Sequence, residues 1–365
     1  MTITPAQPPG PHRPPSGQAD FDAHVRAMTA WHFDDRTGSP FWLARRSQLG
    51  FDPLTDVTGA PDLVRFPDVS RELRTTPAAD LIPRGAAPGQ VFRVYESGGT
   101  TGAPKRIVDG AYRSRMGVWT RQRLTDHGVP ETGDWLHLGP TGPHVVAFDT
   151  SRYAEPAGGL CYTVDLDPRW VKRLLGSGRQ QEADDYIDHL LDQAREILLS
   201  QPVRVLSTTP PLIEAICARP DLYELVASRI EAIIWAGTSF SPESLRLVQE
   251  DFFPTARLVG IYGNSLMGVA PQRVRTPEDT HPCVFEPFAE TTRLDLVDED
   301  GRQVGYGERG RVRVNLVSEE MFLPNVLERD TAVRVRPSSD GGVDGLAEVA
   351  SVATYEDADV VEGVY

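Results

Sequence analysis

Short apolar runs that alternate with helical patterns in the middle of the chain most constrain its fold. Residues 203–206, 231–237 and 257–263 each have the composition of a buried strand, and the last two end at glycine. Residues 182–199 carry apolar side chains at helical spacing, and Ser241, Pro242 and Glu243 form a typical helix start. Strands that alternate with helices predict a parallel α/β sheet, whose ligands lie at the carboxyl ends of the strands.

A loop rich in glycine and threonine follows an earlier apolar run at residues 91–95. The loop spans residues 99–105 and ends at Lys105. Its glycines let backbone N–H groups approach an anion, and the lysine adds a compact positive charge. It is not a Walker A motif, because Pro104 precedes the lysine and Arg106 follows it. Lys105 and Lys172 are the only lysines of the chain. This favours an anion site, with a plain tight turn as the alternative.

Charge and cysteine content exclude several classes of partner. The formal net charge of −15 argues against nucleic acids and anionic membranes. Cys161, Cys217 and Cys283 are widely spaced and give neither a disulfide framework nor zinc-finger spacing. The sequence has no apolar stretch of about 18 residues. It also lacks the charge and apolar pattern of a signal peptide, so we expect a cytoplasmic protein.

Patterning divides the chain into four segments. Residues 1–20 are rich in proline and glycine, which predicts a disordered leader, and residues 21–290 form the predicted α/β core. From residue 291 to 335 the hydrophobic period becomes two, which is typical of antiparallel β-structure. Residues 336–365 are a predicted tail, acidic and without a regular pattern from residue 340.

The loop before Lys105 and two later turns each follow an apparent strand. If these strands share a sheet, the turns lie at one edge and can enclose one ligand. The three turns resemble motifs of the acyl-adenylate-forming superfamily, which includes acyl-CoA synthetases, luciferases and peptide-synthetase adenylation domains. Residues 99–105 resemble its phosphate loop, residues 237–242 its adenine-flanking turn, and Tyr262-Gly263 its aromatic-glycine motif. Asp330 resembles the aspartate that binds the ribose hydroxyls.

The resemblance runs from about residue 31 to residue 330. The segment around Phe66-Pro67 is most similar to the phenylacetate–coenzyme A ligase branch. The family's fold is a large α/β N-terminal domain of sheets flanked by helices with a small antiparallel β unit, which is the fold that we expect here.

The resemblance implies ATP as a substrate. A carboxylate attacks the α-phosphate, which gives an acyl-adenylate and pyrophosphate, and the site must bring two anions together. Thr100, Thr101 and Lys105 would hold the β- and γ-phosphates, with Ser265 near the α-phosphate. Tyr262 would stack on adenine, with ordinary core packing as the alternative. The other implied nucleotide contacts are Gly99, Gly102, Gly237, Thr238, Ser239, Gly263 and Asp330.

The implied acid is an aromatic carboxylic acid. His144 stands where the family often places an aromatic residue or a histidine beside the acyl pocket. A structural histidine is the alternative. Phe148 and Trp235 are candidate pocket walls, with core burial as the alternative for each.

The sequence departs from the family at several positions. Leu266 follows Ser265, where the family usually has a glutamate that helps bind Mg²⁺. We therefore assign no protein metal ligand and expect Mg²⁺ to be held by phosphates and water. The phosphate loop opens Ser97-Gly98, and Arg106 replaces the usual glycine. Residues 331–365 are all that follow Asp330, and none is lysine. This predicts that the family's mobile C-terminal domain, with its lysine, is absent.

Such a chain is similar to the short adenylating enzymes of antibiotic pathways, particularly phenazine biosynthesis. The resemblance implies adenylation of an aryl acid in secondary metabolism, with a homodimer or a downstream acceptor enzyme among the partners left open. One alternative is a catalytically impaired protein that binds nucleotide or aryl acid. The other is a CoA-ligase half-enzyme that a separate C-terminal-domain protein completes.

Overall fold

The computed structural model of the protein describes residues 18–98, 103–339, 341–352, 354–355 and 358–359. The α-helices of these ranges are α1 (Gln18–Phe33), α2 (Pro40–Arg45), α3 (Pro53–Asp56), α4 (Ala78–Leu81), α5 (Ala111–Asp126), α6 (Val145–Ala154), α7 (Pro168–Gly176), α8 (Gln180–Ser200), α9 (Pro210–Cys217), α10 (Pro220–Arg229) and α11 (Pro242–Leu247). The strands are β1 (Arg93–Glu96), β2 (Arg106–Asp109), β3 (Asp134–Gly139), β4 (Cys161–Asp165), β5 (Val203–Thr208), β6 (Ala232–Ala236), β7 (Arg257–Asn264), β8 (Gly268–Pro271), β9 (Val284–Phe285), β10 (Thr292–Val297), β11 (Arg309–Val317), β12 (Phe322–Val335), β13 (Gly345–Ser351), β14 (Thr354–Tyr355) and β15 (Ala358–Asp359).

A six-stranded sheet in the order β4-β3-β5-β6-β7-β8 lies at the centre of the chain. Its first five strands pair in parallel, and β8 alone is antiparallel, in a hairpin with β7. Successive side chains enter two cores: Leu206 and Ile233 lie in one, and Val205 and Ile234 in the other. A strand buried on both faces reads as a continuous apolar run, which is why the sequence predicts this sheet. The predicted parallel sheet is confirmed.

The first predicted strand does not belong to that sheet. β1 and β2 form a separate antiparallel pair, with Glu96 opposite Arg106. The pairing continues past the strands, because the Ser97 backbone N–H donates to the Lys105 carbonyl at 2.9 Å. The loop before Lys105 therefore joins the two strands of a hairpin, and the condition that its strand shares a sheet with the strands before the other two turns is not met. An apolar run of five residues is equally compatible with a hairpin strand.

A second, five-stranded antiparallel sheet has the order β10-β11-β12-β13-β9. Its strands β10 and β11 confirm the predicted switch to a period of two. Strand β13 shows that the expected lack of regular structure after residue 340 is wrong. Leu346 and Ala347 are fully buried there, between β12 and β9. The sequence pattern is broken at Glu348, whose φ of 50° lies in the left-handed region.

Two short segments lead into helices. The sequence of residues 145–148 is compatible with a strand or a helix start, and these residues open α6. Residues 207–211 contain two prolines, which is typical of a turn, but Ser207 and Thr208 end β5 and α9 begins at Pro210. Proline suits a first helical position because its missing N–H has no partner there in any helix. The predicted start of α11 is confirmed, with Ser241 accepting from the Ser244 N–H at 3.0 Å.

The N-terminal segment packs on the antiparallel sheet. Helix α1 begins at Gln18, so residues 18–20 of the predicted leader are helical, and residues 1–17 lie outside the described residues. Trp42 and Phe66 pack against Phe322 of β12, with ring centroids 5.6 and 5.2 Å away. Both rings are buried, and the Trp42 indole N–H donates to the Phe322 carbonyl at 2.9 Å. This aromatic cluster fixes one end of β12, the strand that carries Asp330.

Candidate functional site

A cavity of about 250 Å³ lies where the parallel strands end. Its wall is built from the end of the β1–β2 hairpin, the turns after β3, β5, β6 and β7, one face of α6 and two residues of β12. Of the predicted site residues, Lys105, His144, Gly237, Gly263 and Ser265 line it. The hairpin thus reaches the same cavity as the sheet turns, although it belongs to a different sheet.

Lys105 stands at the second strand of the hairpin and is held by its backbone. Its N–H donates to Ser97 Oγ at 2.9 Å, in addition to the carbonyl contact described above. The side chain is only 8% exposed and lines the cavity. Beside it, Glu96 is bound by Arg106 at 3.0 Å and by Arg169 at 2.7 Å. This carboxylate is therefore already neutralised by two arginines and does not compete for the lysine.

Ser265 lies in a tight turn between β7 and β8 and is linked to the hairpin. Its hydroxyl donates to the Glu96 carbonyl at 3.2 Å. The Asn264 side-chain oxygen accepts from the N–H groups of Leu266 and Met267, each at 2.9 Å, which closes the turn. A Cβ at Gly263 would lie 2.4 Å from the Gly268 carbonyl oxygen, so this hairpin requires glycine there.

A buried group of four charges supports the same turn from below. Arg113 is fully buried and donates to the Ser265 carbonyl at 2.8 Å and to Asp149 Oδ2 at 3.2 Å. Arg152 bridges Asp149 at 2.9 Å and Asp109 at 2.7 Å. Two arginines and two aspartates balance in charge, and the group ties α5 and α6 to the turn that carries Ser265.

Tyr262 and Asp330 meet at the junction of the two sheets. The Tyr262 hydroxyl donates to Asp330 Oδ2 at 3.0 Å, and the Ser351 hydroxyl donates to Oδ1 at 3.1 Å. Burial, Asp330 and Glu328 raise the pKa of Tyr262 well above its ordinary value, so the phenol remains a donor. The ring is half-buried with its centroid 6.2 Å from that of Phe285. Neither residue is among those lining the cavity, and their nucleotide roles stay predictions.

The turn after β6 places only one of its three predicted residues on the cavity. Gly237 lines it with a φ of 89°, a conformation that suits glycine. The Ser239 hydroxyl donates to the Val349 carbonyl of β13 at 2.7 Å. The Thr238 hydroxyl is buried and has no hydrogen-bond partner among the described residues.

The two predicted acid-binding residues separate in the structure. His144 lines the cavity at the position before α6. Burial lowers the pKa of its imidazole, and the positive charge of Arg169 lowers it further. Phe148 does not line the cavity. It is 38% exposed and packs against Tyr95, with ring centroids 5.3 Å apart. The cavity face of α6 carries residues 145, 146, 149, 150 and 153, and helical spacing turns residue 148 away from it. Trp235, the other candidate wall, is buried against Phe240 and Phe285.

Sequence reasoning missed Glu328, which is 8% exposed and lines the cavity. Burial and the neighbouring Asp330 raise the pKa of Glu328 to about 7, while Lys105 acts in the opposite direction. Its Oε1 atom has no hydrogen-bond partner among the described residues. An irregularity of β12 between Leu327 and Thr331 shapes this part of the strand. The sequence signal that could have identified Glu328 is its spacing of two residues from Asp330, because alternate residues of a strand share a face.

Sequence reasoning also missed His137 at the base of the cavity. Its pKa falls to about 4 because the ring is buried, only partly offset by its bond to the Pro140 carbonyl. Gly99, Thr100, Thr101 and Gly102 of the predicted phosphate loop lie outside the described residues. Within the described part of the chain there is no group of three or more His, Cys, Asp or Glu residues that could hold a metal ion.

Comparison with known proteins identifies the fold. No known family model matches the chain. The chain is 22% identical over 259 residues to a medium/long-chain fatty-acid–CoA ligase of Mycobacterium tuberculosis, across 68% of this chain and 39% of that ligase. This chain thus spans well under half of the relative's length.

Two crystal structures of 2-hydroxyisobutyryl-CoA ligase show the same architecture. An open conformation in complex with 2-HIB-AMP and CoA aligns with a TM-score of 0.62 and 14% identity over 98% of this chain and 83% of that one. A postadenylation state with 2-HIB-AMP gives a TM-score of 0.64 and 13% identity over 98% of this chain and 75% of that one. The chain therefore has the adenylate-forming ligase fold, as the sequence predicts. In the ranges that the structure describes, no helix is long and apolar enough to cross a membrane. The cytoplasmic location stays a prediction.

Proposed function

We propose that this protein activates a carboxylic acid with ATP, forming an acyl-adenylate and pyrophosphate. The observation that carries the proposal is the convergence of Lys105, Gly237 and Ser265 on one cavity at the carboxyl edge of the parallel sheet. The fold supports it, because the similar 2-hydroxyisobutyryl-CoA ligase was crystallised with an adenylate, 2-HIB-AMP. In this proposal the protein is a ligase of the adenylating type, and its resemblance to the phenylacetate–CoA ligase branch is part of the proposal.

Electrostatics give the cavity its proposed role. The carboxylate and the α-phosphate are both anions, so the site must provide positive charge and oriented donors before they can meet. The buried Lys105 ammonium provides the charge. Ser265, whose carbonyl is held by Arg113, provides a hydroxyl that would turn from the Glu96 carbonyl to a phosphate oxygen. We assign the β- and γ-phosphates to Lys105 together with Gly99, Thr100, Thr101 and Gly102.

The nucleoside is assigned to the junction of the two sheets. Asp330 would accept from the ribose hydroxyls, and its carboxylate is oriented for this by Tyr262 and Ser351. The Tyr262 ring and the turn at Gly237 would flank the adenine, with Gly263 allowing close approach. Thr238 carries a buried hydroxyl without a partner among the described residues, which is available to the base.

Mg²⁺ would accompany the triphosphate. Leu266 is 3% exposed at the position after Ser265 and offers no oxygen ligand. The cavity therefore fits an ion held by phosphate oxygens and water, which is common for Mg²⁺. Such an ion would neutralise phosphate charge while Lys105 and Ser265 orient the α-phosphate.

The proposed acid is an aromatic carboxylic acid that enters beside His144. The neighbouring wall has apolar side chains from α6, β6, β7 and β8, namely Val145, Val146, Ile234, Ile261 and Val269. Flat rings suit a slot between a helix and the end of a sheet. We place the reaction in secondary metabolism of the antibiotic type, with phenazine biosynthesis as the resemblance that motivates it. The proposed partners are a downstream acceptor enzyme, to which the acyl group would pass, and a second copy of the chain in a homodimer.

A protein that binds nucleotide and acid without turnover is the second candidate. Leu266 favours it, because the usual glutamate would supply a metal ligand. Tight ATP binding in the presence of every acid tested, with no pyrophosphate released, would identify this case.

Direct detection of the product tests the proposed function. The protein is incubated with ATP, Mg²⁺ and each of a panel of aryl acids, and the mixture is analysed by mass spectrometry for the acyl-adenylate. We expect the adenylate only when acid, ATP and protein are all present, together with an equal amount of pyrophosphate. A protein that binds ATP but yields no adenylate with any acid contradicts the proposal.

A further inference from the structure

Polar side chains from β3, β5 and α6 meet on one wall of the cavity. His137, Thr150 and Ser207 are 2%, 2% and 7% exposed, and all three line the cavity. The Ser207 hydroxyl oxygen lies 3.2 Å from His137 Nδ1 and 3.2 Å from the Thr150 hydroxyl oxygen. This triad of buried polar groups lies on the same cavity wall as the apolar side chains of Val146 and Ile234.

The protons of the triad can be assigned from its contacts. His137 Nε2 is 3.1 Å from the Pro140 carbonyl oxygen, which only accepts, so Nε2 carries the hydrogen. Nδ1 is then bare and accepts from the Ser207 hydroxyl. The Thr150 hydroxyl donates to the Val146 carbonyl at 3.0 Å. Both hydroxyl hydrogens are therefore engaged within the protein, and the Ser207 oxygen keeps lone pairs that can accept from a ligand.

Two further hydroxyl groups extend this wall. Thr208 and Thr209 follow Ser207 at the end of β5, are 3% and 5% exposed, and line the cavity. Neither hydroxyl has a hydrogen-bond partner among the described residues. Buried polar groups in folded proteins are almost always hydrogen-bonded, so unpartnered hydroxyls on a cavity wall indicate a ligand that bonds them.

Given the proposed adenylation, we propose that the activated acid carries a hydroxyl or amino group on its acyl portion. This group donates to the Ser207 oxygen and exchanges hydrogen bonds with Thr208 and Thr209. A plain hydrocarbon acid would offer the Ser207 oxygen and the Thr208 and Thr209 hydroxyls no hydrogen bond. The group should be neutral, because the triad has no net charge: burial lowers the pKa of His137 to about 4, so the ring is uncharged near pH 7.

Matched pairs of acids test this assignment. Benzoate is compared with hydroxybenzoates and aminobenzoates, and hexanoate with 6-hydroxyhexanoate. Each acid is measured by kcat/KM for adenylate formation and by calorimetric Kd. We expect the substituted member of at least one pair to be favoured by at least about tenfold, since sites built to hydrogen-bond a substrate reject the analogue that lacks the group. Equal or better use of the unsubstituted member in every pair would overturn the proposal.

Variants of the wall locate the preference. Ser207→Ala and Thr208→Val should shrink the preference for the substituted over the unsubstituted acid several-fold. Thr29→Val is the matched control, because Thr29 also has a buried, unpartnered hydroxyl among the described residues but lies in α1, outside the cavity. It should keep the wild-type preference. Equal losses for both members of a pair in the wall variants would contradict the proposal.

The Kd values from calorimetry distinguish the proposed adenylation reaction from the proposed class of acid. A protein that forms no adenylate but binds the substituted acids more tightly contradicts the proposed reaction and supports the assigned acid class. A protein that forms adenylates without preferring the substituted acids supports the reaction and overturns the acid class. The absence of binding by every acid in the panel also overturns it.

Discussion

The Tyr262 hydroxyl donates to Asp330 Oδ2 at 3.0 Å and so joins β7 of the parallel sheet to β12 of the antiparallel sheet. The bond orients a carboxylate that we assign to the ribose. Tyr262→Phe removes the hydroxyl and keeps the ring. We expect the free energy of unfolding to fall by about 1 kcal/mol, the usual net value of such a bond, and the Kd for ATP to rise several-fold. Chemical denaturation and calorimetry measure the two effects.

Tyr306→Phe is the control for Tyr262→Phe. The Tyr306 hydroxyl also donates to a carboxylate, Asp344 Oδ1, at 3.0 Å, but neither residue of this pair is assigned to the nucleotide. It should leave the Kd for ATP at the wild-type value. Equal changes of ATP affinity in the two variants would contradict the role assigned to Asp330.

Glu328 predicts a pH dependence of stability. Burial raises the pKa of Glu328 to about 7 in the folded protein, against about 4.5 when unfolded. The folded state thus holds the proton of the Glu328 carboxyl more tightly than the unfolded state. The contribution of this carboxyl to the free energy of unfolding is full below about pH 4.5 and is lost as the pH rises to about 7. The shift corresponds to about 3 kcal/mol. Glu328→Gln should remove this loss. The free energy of unfolding of the variant, relative to that of the wild type, should therefore increase between pH 4.5 and 7.

Denaturant unfolding at a series of pH values measures the Glu328 effect. Glu243→Gln, at an exposed position in the first turn of α11, is the control and should follow the wild-type pH curve. If Glu328→Gln and the wild type remain parallel from pH 4.5 to 7, the glutamate does not titrate as its burial requires.

Arg113 should be far more important for stability than its neighbour on the helix surface. Arg113→Met leaves Asp109 and Asp149 buried with one arginine fewer, and removing one partner of a buried ion group costs about 3–5 kcal/mol. Arg115→Met removes a pair to Glu290 at 2.7 Å in which the arginine is 46% exposed and the glutamate 8% exposed, so we expect a smaller loss of about 1–2 kcal/mol. Unfolding in denaturant compares the two variants, and similar losses would contradict the structural role of the buried group.

The parts of the fold that the sequence predicts are those whose signal is local. Residues 203–206 and 257–263 read as strands of a parallel sheet because burial on both faces makes their side chains uniformly apolar. Strand β13 has no such signal, because Glu348 breaks its pattern and one of its two partners, β9, lies far earlier in the chain. The hairpin of β1 and β2 was missed because a strand's own residues do not reveal which strand pairs with it.

The residues of the candidate site also divide into those with a local sequence signal and those without one. Lys105, Gly237 and Ser265 were found because their turns carry recognisable residues in a fixed order. Phe148, predicted as a wall of the acid pocket, does not line the cavity, because one step along a helix rotates a side chain by about 100° and moves it from the cavity to the surface. Glu328 and His137 were missed because burial, rather than residue type, sets their properties.

The exchange of labelled pyrophosphate into ATP tests the central claim most directly, with Lys105→Ala beside the wild type. Lys172→Ala is the control, since Lys172 is the only other lysine and lies outside the cavity. We predict carboxylate-dependent exchange by the wild type and by Lys172→Ala, and a loss of roughly a hundredfold in Lys105→Ala, which lacks the cation aimed at the phosphates. An unchanged rate in Lys105→Ala, or no exchange by the wild type with any acid, would contradict the account.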